Sequence, residues 1–385
     1  MPSKTKLTAV KTSDTAHKPV VMYVSDVPDF KGGAERSLFD LMASPHISPR
    51  LVVPAEGPMS KKAGELGIPH HLLTYGSVLT VRRPFKAHDV IRTFASALNA
   101  ARQLKQIARE QNAIAVHTNG LKAHGVACLS RLIGGKPVVI HFRAIPFTRL
   151  EKLFWRAVQT IASHVILVSR PCWHGDTLPS NVHVIFNAIK VSDQTVPAPK
   201  TKKPFLLGFV GRIQFTKGVD TLVEWFDYAH KKGLDIKLFI RGEPAPDELD
   251  YDAKVRRMVK ERGLEKLVVF EGKLEGFDKI YGNIHANVVS SVVPDPLPRS
   301  VMEACSLGIP VLGYPAGGIP YMIEDGKSGL LVADKEEFYR LVKKLMEDDA
   351  FYNSISKGAV ARAKDKFAMP RLHDAVYNTV YKTLE

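Results

Sequence analysis

The sequence predicts an α/β protein made of two parallel-sheet domains in tandem, facing each other across a cleft. Three observations carry this expectation. Short β-rich apolar runs alternate with amphipathic segments from residue 20 onward, the pattern of βαβ units. A stretch rich in Pro, Lys, Ser and Thr, KVSDQTVPAPKTKKP at 190–204, interrupts that alternation, and a second series follows it. The length, 385 residues, exceeds what one hydrophobic core usually organises.

In the first series the strand candidates are VVMYVS (20–25), IAVHTN, PVVIHF, HVILVS and VHVIFN. The segments 88–110 and 149–162 place apolar residues at helical spacing and are expected to be crossover helices. The second series runs through FLLGFVGR, helix VDTLVEWFDYAHKKG, DIKLFIRG, helix DYDAKVRRMVKERG, LVVFEG, ANVVSS, IPVLGY and SGLLV. Expected boundaries are a flexible tail over 1–19, a first Rossmann-like domain over 20–190, a linker over 191–203 and a second Rossmann-like domain over 204–369. The last segment, 370–385, reads as an amphipathic helix and is a candidate to pack back on the first domain. Ligands of open α/β sheets bind beyond the carboxyl ends of the strands, so the motifs at those ends matter most.

Composition excludes several classes. Apolar residues make up 45% and charged residues 24%, ordinary globular usage that rules out wholesale disorder or a fibrous repeat. The cysteines Cys128, Cys172 and Cys305 are odd in number, far apart and without CxxC spacing, which argues against a disulfide framework or a zinc knuckle. The N-terminus has charge but no apolar core region, and no apolar run approaches the ~18 residues needed to span a bilayer. A cytoplasmic location is therefore expected. The net charge of +15 is uneven: residues 1–195 hold 25 Lys and Arg against 12 Asp and Glu, whereas residues 196–385 hold 29 against 27. The first half is expected to meet something anionic, unless this is only a solvated basic face. No aromatic-interleaved basic motif or zinc spacing supports nucleic acid as that partner.

Two constellations carry chemistry. Strand FLLGFV runs into Gly211, Arg212, Ile213, Gln214, Phe215, Thr216, Lys217 and Gly218 ahead of a helix. An Arg and a Lys five residues apart, on a glycine-bounded turn at a helix N-terminus, form a candidate diphosphate clamp together with the free backbone N–H groups. In VVPDPLPRSVMEACSLGIPVLGYPAGGIP (292–320), Asp295 and Glu303 are separated by seven residues around a proline-pinned loop and a helix starting near Arg299. Two acids there can accept hydrogen bonds from the hydroxyls of a sugar and a ribose. The DxD at 250–252 opens a charged helix rather than ending an apolar strand, so no metal site is assigned to it.

With these motifs in view, the chain resembles glycosyltransferase family 4, retaining enzymes of the GT-B fold. The resemblance implies that Asp295 contacts a donor sugar with the neighbouring Leu297, Pro298, Arg299 and Ser300, and that Glu303 binds the ribose. It implies that Arg212 and Lys217 neutralise the donor diphosphate, and that Gly32 and Gly33 in DVPDFKGGAER let backbone amides approach the phosphate from the other domain. VHTNG and VVIHFR resemble the two histidine-bearing strand ends that line the reaction centre, which assigns His141, with His117 and Asn119, to the substrate pocket. The chain departs from the family with Asp295 in place of the commoner Glu, Asn119 where many members carry His, NAIK (187–190) for NGID, and Tyr321 after Gly-Gly-Ile-Pro.

The implied activity is retaining transfer of a hexosyl or N-acetylhexosaminyl group from a nucleotide sugar, UDP-linked rather than GDP-linked. The acceptor would be a glycan or lipid-linked glycan in lipopolysaccharide, O-antigen or other cell-surface polysaccharide synthesis. No cofactor and no metal are expected, because Arg and Lys do the metal's work. The basic first half, including Val81-Arg82-Arg83-Pro84-Phe85-Lys86, suits an anionic membrane surface and a peripheral place on the inner face of the plasma membrane. Two other readings compete. A GT-B-shaped sugar-nucleotide epimerase would convert the donor alone, and a non-catalytic nucleotide-sugar-binding subunit would bind donor without turnover.

Overall fold

A computed structural model describes residues 18–30, 32–80, 87–191 and 203–385. Most of the tail and linker and the basic stretch 81–86 lie outside the described residues. The first sheet contains seven parallel strands: β1 (Val20–Ser25), β2 (Ser48–Val53), β3 (His70–Leu72), β4 (Ala115–Asn119), β5 (Val138–Phe142), β6 (His164–Leu167) and β7 (Val182–Val184). Their order is β3-β2-β1-β4-β5-β6-β7. The second sheet contains β8 (Phe205–Val210), β9 (Ile236–Arg241), β10 (Val268–Gly272), β11 (Ala286–Val289), β12 (Val311–Gly313) and β13 (Leu330–Leu331), in the order β10-β9-β8-β11-β12-β13. Both are doubly wound, and the order reverses between β1 and β4 in one and between β8 and β11 in the other. Two Rossmann-like sheets in tandem are therefore present, and the crevice of each lies where its strand order switches.

The strand sequences explain the parallel arrangement. All six residues of β1 are buried, as are all five of β4 and of β5. Such continuously buried strands need cover on both faces, which the crossover helices Ala87–Glu110, Leu121–Leu132 and Arg149–Ile161 help to supply. The last of these is set by a capping box: Glu151 N–H donates to Thr148 Oγ1 at 3.2 Å, and Thr148 N–H donates to the Glu151 carboxylate at 3.0 Å.

The helix Met369–Thr379 leaves the second domain and packs on the first sheet. Leu372, Val376, Val380 and Tyr381 share a core with Val21, Tyr23, Leu38 and Ile166. The three cysteines are buried and free. No helix among the described residues is long and apolar enough to cross a membrane.

Candidate active site

On the second domain, the loops from the two strands at the switch point meet. The turn after β8 closes through a short 3-10 helix at Phe215–Lys217 and enters the helix Val219–Lys231 at Gly218. Gly218 is left-handed, with φ 62°, and a Cβ there would lie 2.2 Å from the Ser290 carbonyl oxygen. Only glycine fits both demands. Ser290 follows β11 and donates its hydroxyl to the Lys217 carbonyl at 3.0 Å.

Lys217 Nζ forms an ion pair with the Asp295 carboxylate. The other Asp295 oxygen accepts the Leu297 N–H at 3.1 Å. Gly317 and Gly318 brace this loop from behind: Gly318 N–H donates to the Asp295 carbonyl at 2.7 Å, and a Cβ on Gly317 would stand 2.3 Å from the same oxygen. Arg212 is exposed and has no partner among the described residues. It is a cation open to an anion, whereas Lys217 already touches a carboxylate.

Glu303 sits in the helix Arg299–Ser306 and is 9% exposed. Buried Tyr281 donates its hydroxyl to Glu303 Oε2 at 2.8 Å, and Arg299 Nε lies 3.4 Å from Oε1. Pro298 forms the N-cap of this helix, and the Ser300 carbonyl accepts from Asn287 at 3.5 Å. Arg299 also reaches the first domain, donating to Asp40 Oδ2 at 2.7 Å and to Ser37 Oγ at 3.2 Å. Gly33 opens the helix Gly33–Met42 directly opposite, and a Cβ on it would lie 3.4 Å from Arg299 Cδ. Gly32 N–H is held by Glu35 Oε2 at 2.7 Å. Gly33 of one domain thus abuts Arg299 in the acidic motif of the other.

At the end of β5 the first domain buries a polar chain that starts from Arg143. Its Nε donates to Asn119 Oδ1 at 2.7 Å, its Nη1 to Asn187 Oδ1, and its Nη2 lies 3.2 Å from His141 Nδ1. A guanidinium only donates, so His141 Nδ1 must accept and the ring proton belongs on Nε2. His117 Nε2, also 3.2 Å from His141 Nδ1, must then be the donor. That leaves His117 Nδ1 as the acceptor for the Tyr381 hydroxyl at 2.7 Å, and Tyr381 accepts in turn from Tyr23 at 2.8 Å. Burial and the Arg143 charge hold both histidines well below the usual imidazole range, so they are neutral. The buried Nε2 of His141 has no hydrogen-bond partner among the described residues.

Sequence reasoning singled out His117, Asn119 and His141, and the structure brings these three together. It missed Arg143, Asn187, Tyr23 and Tyr381. Arg143 stands two residues after His141 in the quoted VVIHFR, and a cation ending an apolar strand was the available signal. Asn187 opens NAIK, which registered only as a departure. The cation of the DxD segment's own helix engages it: Arg256 Nε meets Asp252 Oδ2 at 2.8 Å.

Comparison with known proteins agrees with this architecture. Residues 192–362 match the family described as Glycosyl transferases group 1. The lipopolysaccharide 1,6-galactosyltransferase of Salmonella typhimurium is 23% identical over 210 residues, 52% of this chain and 56% of that protein. The capsular polysaccharide biosynthesis glycosyltransferase CapM of Staphylococcus aureus is 25% identical over 202 residues, 47% of this chain and 48% of its own length. The chain thus spans about half the length of the curated relatives it matches. Among solved structures, Anabaena Alr3699/HepE in complex with UDP superimposes with a TM-score of 0.79 at 19% identity, covering 94% of this chain and 99% of that one. The apo lipopolysaccharide outer core galactosyltransferase WaaB gives 0.74 at 17%, covering 94% and 99%. Residues 192–362 are thus similar to glycosyl transferases group 1, and the two tandem sheets form the GT-B fold.

Proposed function

We propose that this protein transfers a hexosyl or N-acetylhexosaminyl group from a nucleotide sugar, with retention, to a glycan or lipid-linked glycan of a cell-surface polysaccharide. The observation that carries the reading is the contact between Lys217 and Asp295. It brings the candidate phosphate-binding turn against the candidate sugar-binding loop at one switch point. A UDP-linked donor is preferred because the similar Anabaena protein was crystallised with UDP and with UDP-glucose. Lipopolysaccharide or capsule as the destination rests on the roles of the Salmonella and Staphylococcus relatives.

In this reading the nucleoside diphosphate leaves an anomeric carbon through an oxocarbenium-like state, and charge builds on the β-phosphate oxygen. Arg212 and Lys217 stabilise that charge where it develops. Asp295, released from Lys217 by the incoming diphosphate, accepts from sugar hydroxyls, and Glu303 accepts from the ribose. His141 is neutral and carries its proton on Nε2, so it acts as a hydrogen-bond donor to a substrate oxygen and not as a base. No divalent metal takes part.

Thermal-shift titration with UDP- and GDP-sugars, followed by product analysis with and without acceptor glycans and with EDTA, tests the reading. A donor that raises the melting temperature, with sugar transferred to an acceptor in the presence of EDTA, is expected. Donor converted without any acceptor would make the protein an epimerase, and binding without turnover would make it a non-catalytic subunit.

A peripheral membrane site is part of the same proposal. The helix Arg149–Ile161 and the turn before it expose Phe147, Leu150 and Leu153 beside Arg149 and Arg156. Apolar side chains flanked by cations suit an anionic leaflet, at about 1 kcal/mol per basic residue. Failure to sediment with phosphatidylglycerol vesicles at low salt would leave a soluble acceptor.

A further inference from the structure

A cavity of about 260 Å³ opens on the first domain, lined by Asp26, Glu35, Asn119, His141, Arg143 and Trp155 among others. It adjoins the crevice between β1 and β4, on the domain opposite the turn that carries Arg212 and Lys217. We propose that it binds a negatively charged group of the acceptor, a carboxylate or a phosphate, on Arg143. This rests on the transferase reading above.

Counting donors leads there. A guanidinium has five N–H bonds. Three are directed at Asn119, Asn187 and His141, all neutral groups. One N–H on each terminal nitrogen is left over, two donors that a carboxylate or phosphate can engage together. His141 adds a third donor from the cavity wall, since its protonated Nε2 is buried without a partner.

Charge points the same way. Arg143 forms no ion pair among the described residues, although burial pushes its guanidinium down to about 10. Asp40 and Glu35 are the acids whose fields reach it. Asp40 is already paired with Arg299, and Glu35 is turned to the Gly32 amide. Asp26, on the same wall, accepts the Lys122 N–H at 2.8 Å. A partly buried cation whose direct partners are all neutral is stabilised when a ligand brings the countercharge.

The test is calorimetric titration of the full chain, saturated with UDP to occupy the donor site, with glucuronate, glucose 6-phosphate and glucose. Glucuronate or glucose 6-phosphate should bind and glucose should not, the better of the two telling carboxylate from phosphate. Arg143→Gln should weaken that binding at least tenfold, and Arg143→Lys, which keeps the charge but loses the two donors, by a smaller factor. Equal binding of glucose, no binding of either anion, or variants that bind like the parent would overturn the proposal. Variants that lose UDP affinity by the same factor would overturn it too, by giving Arg143 to the donor diphosphate. A parent chain that ignores UDP sinks the transferase reading separately. The anion titrations then run on the free protein, and dependence on Arg143 still decides.

Discussion

Arg299 of the second domain and Asp40 of the first meet at 2.7 Å across the cleft, 259 positions apart in the chain. Arg299 also lies 3.4 Å from Glu303, so one guanidinium joins the inner wall of the site to the opposite domain. Arg299→Ala leaves two partly buried carboxylates without their cation. A loss of about 1–2 kcal/mol in urea unfolding is expected, discounted from a fully buried pair because both partners keep some solvent contact. Double substitution with Asp40→Ala should cost less than the two single losses combined.

Arg212→Ala and Lys217→Ala should each reduce transfer by about 10²–10³-fold, the usual effect of losing one group that stabilises a developing anion. The fall should appear mainly in kcat, because the charge they oppose grows as the diphosphate departs. Wild-type turnover in both variants would remove the clamp.

Gly218→Ala sets a side chain in the left-handed region and against the Ser290 carbonyl. Strain of about 1–2 kcal/mol, with more from the displaced backbone, should lower the melting temperature. Donor affinity should fall with it, since Lys217 is the preceding residue. A Gly218→Ala variant as stable as the parent would show that the turn tolerates a Cβ.

Acidification should unfold the protein through the first domain. Burial holds His117 and His141 well below the free imidazole value and His124 at about 3. As the pH falls below about 6.5 the unfolded chain takes up protons at these positions and the folded chain does not, so stability drops by up to about 1.4 kcal/mol per pH unit for each histidine. Urea midpoints at pH 7.5 and 5.5 should show a slope that becomes shallower in His124→Asn. An unchanged slope would assign the acid sensitivity elsewhere.

Most of the architecture was legible because apolar runs such as VVMYVS and FLLGFV satisfy the burial demand of a central parallel strand by themselves. β2 and β3 were not read as strands. SPRLVV is apolar only in its second half and HHL is three residues long, so their pairing comes from the sheet rather than from their own pattern. At the candidate site, spacing singles out Asp295 and Glu303 but not their partners. Lys217 reaches Asp295 from 78 positions away, and Tyr281 reaches Glu303 from a different helix. Arg143 escaped notice because its one local signal, a cation ending an apolar strand, fits a solvated arginine equally well. Its meaning emerges only when Asn119, Asn187 and His141 converge on it.

The hydrogen bonds of Tyr381 with His117 and Tyr23 bind the first sheet to a segment synthesised after the whole second domain. During translation, the nascent first sheet would therefore wait, with the docking face for Leu372, Val376 and Val380 still bare to water, until more than a hundred and fifty further residues had emerged. A fragment that stops before the linker would keep that face permanently uncovered and should be prone to aggregate.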